Sequence, residues 1–154
     1  MRLLSPETMK IHAPPAAEQR TFEPGTVIFD EGAKGEHAFI VNSGLVEIYK
    51  AGPHGEAVIG YVGAGEIFGE MALIDGQPRM AGARAVRGTT CSVVSADLLQ
   101  KKLEDTDPFV RDILGVLVNG VRSMAKDLLR DSRGLEDPCR RHSHFQGQHH
   151  SLNV

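Results

Sequence analysis

The chain has 154 residues, 41% hydrophobic and 24% charged, which is the composition of one globular domain with room for a core. A formal net charge of −3 and a pI near 6.1 exclude a general electrostatic pull toward nucleic acid or anionic lipid, so any anion site has to be local. Cys91 and Cys139 are too few and too unlike in setting for a disulfide framework, and residues 1–6 lack the apolar run of a signal peptide or membrane span; a soluble cytoplasmic protein is expected.

Residues 1–20 are a polar lead containing Pro14-Pro15-Ala16-Ala17, with room for one short helix before Ile11. From Thr21 the pattern changes to short β-prone runs, expected over 26–29, 38–41, 45–50, 57–62, 80–86 and 90–94. Turn residues divide them: Glu31-Gly32-Ala33-Lys34-Gly35, Asn42-Ser43-Gly44, Ala51-Gly52-Pro53-His54-Gly55 and Gly63-Ala64-Gly65-Glu66. Strands at a spacing of about 8–12 residues indicate an all-β sandwich, jelly roll or barrel, and the pattern alone does not choose among them.

After Val94 the period becomes helical. Ser95 is an N-cap for a helix over 96–103, and Asp107-Pro108 opens a second one. Phe109, Ile113, Leu117, Val121, Met124 and Leu128 recur three or four residues apart, giving one apolar stripe on a helix over 108–130. Such a helix is roughly 34 Å long, and Gly115 and Gly120 each weaken it by about 1 kcal/mol. The stripe suits core packing, a lid, or a seam between two copies of the chain. Residues 131–154 are polar and predicted as a disordered tail. Its Cys139, His142, His144, His149 and His150 match no structural zinc spacing.

The most informative stretch is 68–85, FGEMALIDGQPRMAGARA. Phe68-Gly69-Glu70 is a tight entry to a short helix-compatible run, Met71-Ala72-Leu73-Ile74, which Gly76 and Pro78 stop. The first turn of a helix offers unpaired backbone N–H groups to an anion, and an arginine returned to the same place, Arg79, can grip that anion with two parallel hydrogen bonds. A carboxylate such as Glu70 suits a sugar hydroxyl rather than a phosphate. Together these groups spell a nucleotide.

This stretch resembles the phosphate-binding cassette of cyclic nucleotide-binding domains, which runs F-G-E-x-A-L, a short insert, then P-R-x-A and usually Thr or Ser. Phe68, Gly69, Glu70, Ala72, Leu73, Pro78, Arg79 and Ala81 supply the pattern. The runs Pro24-Gly25-Thr26-Val27-Ile28-Phe29-Asp30-Glu31-Gly32 and Asn42-Ser43-Gly44-Leu45-Val46-Glu47-Ile48-Tyr49 are similar to the same family's first strands. The resemblance covers about residues 20–130. It implies a mainly β fold, a jelly roll over about 21–94 with the cassette inserted between strands and helices over about 95–130.

By resemblance, Arg79 takes the equatorial and exocyclic oxygens of a cyclic phosphate, and Glu70 accepts from the ribose 2′-hydroxyl. Backbone N–H groups of Gly69, Met71, Ala72 and Met80 add contacts; Ala81 and Leu73 pack the cassette, and Phe68 is core, pocket wall or both. At the position after Ala81, Gly82 replaces the hydroxyl residue that can hold a syn guanine, which leans the ligand toward cAMP over cGMP. The expected function is a cyclic nucleotide sensor, not an enzyme and without a cofactor, in which ligand binding moves the C-terminal helix. A protein effector and a homodimer through the helix around 108–130 are expected partners; nucleic acid and membrane are not. The alternatives are an interaction module with an unused pocket, and a cupin-like metalloenzyme, for which His37 and His54 are too isolated.

Overall fold

The structure is a computed structural model that describes residues 10–134. They fall into two compact units, one ending at Asn119 and the other beginning at Gly120. The β-rich part of the first unit holds eight strands: β1 (Glu18–Phe22), β2 (Val27–Phe29), β3 (His37–Ser43), β4 (Leu45–Gly52), β5 (Gly55–Gly63), β6 (Ile67–Phe68), β7 (Gly82–Ala85) and β8 (Thr89–Ser95). A one-turn helix α1 (Met71–Asp75) lies between β6 and β7, and α2 (Ala96–Glu104) follows β8. Helix α3 (Pro108–Gly134) comes last and continues into the second unit.

All strand pairs are antiparallel and form two four-stranded sheets, ordered β1-β8-β3-β6 and β2-β7-β4-β5. This is the expected jelly-roll-like arrangement. The cassette helix is inserted between a strand of one sheet and a strand of the other. Phe39, Val41, Phe68, Cys91 and Val93 from the first sheet meet Val46, Val62 and Ala83 from the second in one buried cluster, with Phe22, Ile28, Phe29 and Ile48 packed against it. Phe39 stands at its centre, stacked on Phe68 at 5.1 Å and edge-on to Phe22 at 6.1 Å.

Strand β3 is buried on both faces over 38–41, which is why Ala38-Phe39-Ile40-Val41 reads as an apolar run instead of an alternation. Phe39 and Val41 face the other sheet, while Ala38 and Ile40 form a second cluster with Leu73 of α1 and Val94. Ala13, Ala17, Leu98 and Leu99 pack against that second cluster. The cassette helix is thus seated on the outer side of the first sheet.

The structure shifts several expected boundaries. Residues 18–20 of the expected lead begin β1, which pairs with β8 from Glu18↔Val93 to Phe22↔Thr89; its sequence EQRTF is too polar to announce a strand. Ile67 and Phe68 form β6, a two-residue strand against β3. The strand expected over 80–86 narrows to Gly82–Ala85. Ser95 caps α2 as expected, its hydroxyl accepting from Leu98 N at 3.2 Å. Asp107 likewise accepts from Phe109 N at 2.8 Å.

Helix α3 runs to Gly134, past the expected end at 130. Its packing departs from the stripe: Phe109, Ile113, Leu117, Val121 and Met124 are exposed, Phe109 at 70%, while Val118 is the buried position and Leu114 is half-buried. Simple core packing of the stripe is therefore not what the helix does. Leu128, the short helix before Ile11 in its first nine residues, and the histidines and Cys139 of the tail lie outside the residues described at this level. Among the described residues, no helix is long and apolar enough to cross a membrane.

Candidate functional site

Strand β6 ends at Phe68, and Gly69 turns the chain with φ +78°, a left-handed conformation that favours glycine. The turn is also tight: a Cβ on Gly69 would stand 2.8 Å from Arg79 Nη1 and 3.1 Å from Phe29 Cε1. Glu70 then opens α1, whose amides at Leu73 and Ile74 both donate to Glu70 O at 3.1 Å. The N–H groups of Met71 and Ala72 precede the first of these bonds, as expected for an anion-facing turn. Gly76, at φ +68°, ends the helix by donating to Ala72 O at 3.0 Å.

Arg79 returns beneath this turn and is 94% buried, with 6% of its surface exposed. Nη1 donates to Gly69 O and Nη2 to His37 O, each at 2.6 Å. The guanidinium carbon lies 4.0 Å from the centroid of the Phe29 ring. Its Nε is buried and has no hydrogen-bond partner. Both carbonyl partners are neutral, so a full positive charge sits in a low-dielectric site with its Nε–H unsatisfied, an arrangement that costs free energy.

Glu70 supplies the nearest compensating charge. Burial pushes its carboxyl above the ordinary value, against the bond from its own amide and the attraction of Arg79. Burial also lowers Arg79, opposed by Glu70, yet a guanidinium keeps its proton at any ordinary pH. The two groups lean on each other without forming an ion pair among the described contacts.

The structure brings together Gly69, Glu70, Met71, Ala72 and Arg79, with Met80 and Ala81 at the cassette exit. Phe68 is 4% exposed, and its stacking on Phe39 and Phe29 makes it core that backs the site. Ala81 and Leu73 are buried packing positions.

Gly82 has a packing role in the structure. It pairs with Tyr49 across β4 and β7, and a Cβ there would fall 2.4 Å from Tyr49 Cζ. Its neighbour Ala83 belongs to the inner cluster, so alternation turns position 82 to the opposite face. Any larger residue there would force the Tyr49 ring to shift, which gives the glycine a packing reason independent of the purine.

Sequence reasoning missed three contributors. Phe29 gives Arg79 its aromatic floor, and the His37 carbonyl fixes one arm of the guanidinium. Gly35 looked like ordinary turn punctuation, but its Cβ would meet Ala72 Cβ at 2.6 Å and Arg79 Cζ at 3.4 Å. Its place three residues after another turn glycine, Gly32, gave a weak signal; the close approach exists only in three dimensions.

Residues 19–106 match the family described as cyclic nucleotide-binding domain, and the chain belongs to that family. Among curated proteins it is 34% identical over 88 residues to a cAMP-dependent protein kinase regulatory subunit from Mycosarcoma maydis, covering 57% of this chain and 16% of that protein. It is 28% identical over 108 residues to a CRP-like cAMP-activated global transcriptional regulator from Mycobacterium tuberculosis, covering 70% of this chain and 48% of that protein. The chain therefore spans half or less of these two relatives. Among solved structures, the cAMP-bound form of EAL enzyme Bd1971 aligns with a TM-score of 0.66 at 31% identity, over 75% of this chain and 32% of the other. The Thermus thermophilus catabolite activator protein aligns at 0.60 and 26% identity, over 73% of this chain and 53% of the other.

Proposed function

We propose that this chain is a non-catalytic cyclic nucleotide sensor of the cytoplasm, binding cAMP in preference to cGMP and passing the signal to a protein effector. The observation that carries it is Arg79: a buried guanidinium whose Nε–H has no partner, beneath the first turn of α1 and influenced by the carboxylate of Glu70. An equatorial phosphate oxygen suits the spare Nε, and the ribose hydroxyl suits Glu70. The preference for cAMP draws support from relatives named for that nucleotide, while Bd1971 has also been solved in a cGMP-bound form. Cross-binding of cGMP is expected.

The route outward starts at the cassette helix. Gln100 of α2 donates from Nε2 to Leu73 O at 2.6 Å, so α1 and α2 are tied at the carbonyl end of α1. The start of α2 is tied in turn to the loop before β3 by Ala96 N to Glu36 O at 2.9 Å. A shift of α1 onto a phosphate would pull on α2 and hence on α3, whose exposed stripe at Phe109, Ile113 and Leu117 gives a closed or paired state an apolar face to bury. The same stripe suits a homodimer.

Calorimetric titration of nucleotide-free protein with cAMP and cGMP tests the reading, with Arg79→Ala as control. Saturable binding that the variant loses is expected, with cAMP the tighter ligand. Absence of binding, checked by the lack of thermal stabilisation at saturating nucleotide, would overturn it. Hydrogen exchange over 108–127 unchanged by nucleotide would remove the coupling to α3.

A further inference from the structure

Arg79 is fixed through its backbone as well as its side chain, and the backbone restraints converge on a pair of charges outside the nucleotide-facing residues. Arg79 N donates to Ala33 O and Gly32 N donates to Arg79 O, both at 2.8 Å, so the loop after β2 brackets residue 79 on both sides. One residue further, Met80 O accepts from Lys50 Nζ at 2.7 Å. These bonds restrain three consecutive peptide planes, and with them the origin of the arginine side chain.

Lys50 is where it is because β7 stops short. Pairing between β4 and β7 ends at Tyr49↔Gly82, leaving that edge of β4 without a strand partner beyond it. Glu31 occupies the gap: Oε2 accepts from Ala51 N and Oε1 from Lys50 Nζ, both at 2.8 Å. The Lys50 side chain is only 16% exposed and that of Glu31 31%, so this is not a loose surface pair. Burial alone would raise the Glu31 carboxyl, but the bonds from Lys50 and Ala51 outweigh it and hold it below the ordinary value.

We propose that Glu31 and Lys50 form a positioning clamp for Arg79, setting the alignment of its Nε edge for an anion without touching that anion. The clamp works from the Met80 carbonyl, which the ammonium holds at the cassette exit while the loop holds residue 79. Alignment matters because charge-assisted hydrogen bonds are short and directional, and they weaken when donor and acceptor are turned out of line. The inference rests on reading Arg79 as the phosphate-binding group.

The test uses Lys50→Met, which keeps the stem and removes the charge, Glu31→Gln, which keeps the shape, and Lys50→Arg as the conservative rescue. The first readout needs no nucleotide: hydrogen exchange of the Arg79 Nε–H, followed by nitrogen-15 NMR and assigned by its loss in Arg79→Lys. Exchange about ten-fold faster is expected in Lys50→Met and Glu31→Gln, returning toward wild type in Lys50→Arg. The second is titration with cAMP where every variant is folded, with affinity expected to fall about ten-fold in either variant and little further in the double one. A merely structural pair would lower the melting temperature and move neither readout. Unaltered Nε–H exchange in both variants, or unaltered affinity in a protein that binds, overturns the clamp. If the wild type takes up no nucleotide, the sensor reading falls while the Nε–H measurement still decides the clamp.

Discussion

Arg79 and Arg84 lie five residues apart in one stretch of chain, yet they are satisfied in opposite ways. Arg84 stands on the outer face of the β4–β7 pair, with Nε donating to Glu47 at 2.6 Å, Nη1 to Glu56 at 3.1 Å, and its guanidinium 4.6 Å over the Tyr49 ring. Those hydrogen bonds, that from Glu47 first, raise its already high pKa. Arg79 lies under the cassette turn with two neutral carbonyls, an aromatic floor and an Nε–H without a partner. A charge that the fold has already paired has nothing left for a ligand. The one without an acidic partner in contact, kept buried at a cost, is the group proposed to take the phosphate.

The largest effect should come from breaking that contrast directly. Arg79→Ala is expected to lower cyclic nucleotide affinity by about 30-fold or more, the equivalent of roughly 2–5 kcal/mol for a desolvated charge partner. Arg84→Ala should leave affinity within about two-fold and lower only the melting temperature, since its partners are protein carboxylates. Equal losses of affinity in the two variants would erase the distinction. Next comes the crowding around Arg79. Gly35→Ala brings a methyl to 2.6 Å from Ala72 Cβ, and should destabilise by about 1–3 kcal/mol while weakening binding. A Gly35→Ala variant with wild-type melting temperature and affinity would refute the close approach.

Gly82→Ser sharpens the comparison on its outer side. The new Cβ would meet the Tyr49 ring at 2.4 Å, so the variant should lose about 1–3 kcal/mol of stability, with partial recovery when Tyr49→Val makes room. The ratio of cAMP to cGMP affinities should stay unchanged. A clear gain for cGMP would restore the ligand-selecting role that the sequence pattern implies.

The comparison also explains what was legible beforehand. The cassette could be read because its chemistry is local: Gly69, Glu70, the short helix and Arg79 fall within a dozen residues, and the resemblance to the family's cassette marks them as one site. The strands of the core were legible as apolar runs between turns, and both helix caps from their Ser and Asp. What remained hidden depends on approach between distant segments. Phe29, Gly35 and His37 reach Arg79 from more than 40 residues upstream, and nothing in a glycine or an aromatic residue says which arginine it will meet. Tyr49 and Gly82 read correctly only as a pair, since the ring of one fills the space the other leaves. The stripe on α3 was visible as a period, but period does not tell which apolar face is covered, and Val118 rather than the stripe is buried.

The smallest effect concerns the partner of Arg79. Below pH 4.5, Glu70 is largely protonated in the folded and the unfolded chain alike. Above it the unfolded chain ionises first, while burial keeps the folded carboxyl protonated to a higher pH, so rising pH favours unfolding through that window. Beyond the raised folded value the penalty is fully present. Glu70→Gln carries no such penalty, so the nucleotide-free variant should melt slightly above wild type at neutral pH, with the advantage vanishing below pH 4.5. Arg79 keeps the gain modest, because its attraction already offsets part of the cost of burying the carboxylate. The same variant should bind cyclic nucleotide about five-fold more weakly, since a neutral acceptor replaces a charge-assisted one. Stability gained where affinity is lost would identify Glu70 as a residue kept for the ligand at the expense of the empty fold. A variant less stable than wild type at neutral pH would instead mean that Glu70 serves the fold through its attraction to Arg79.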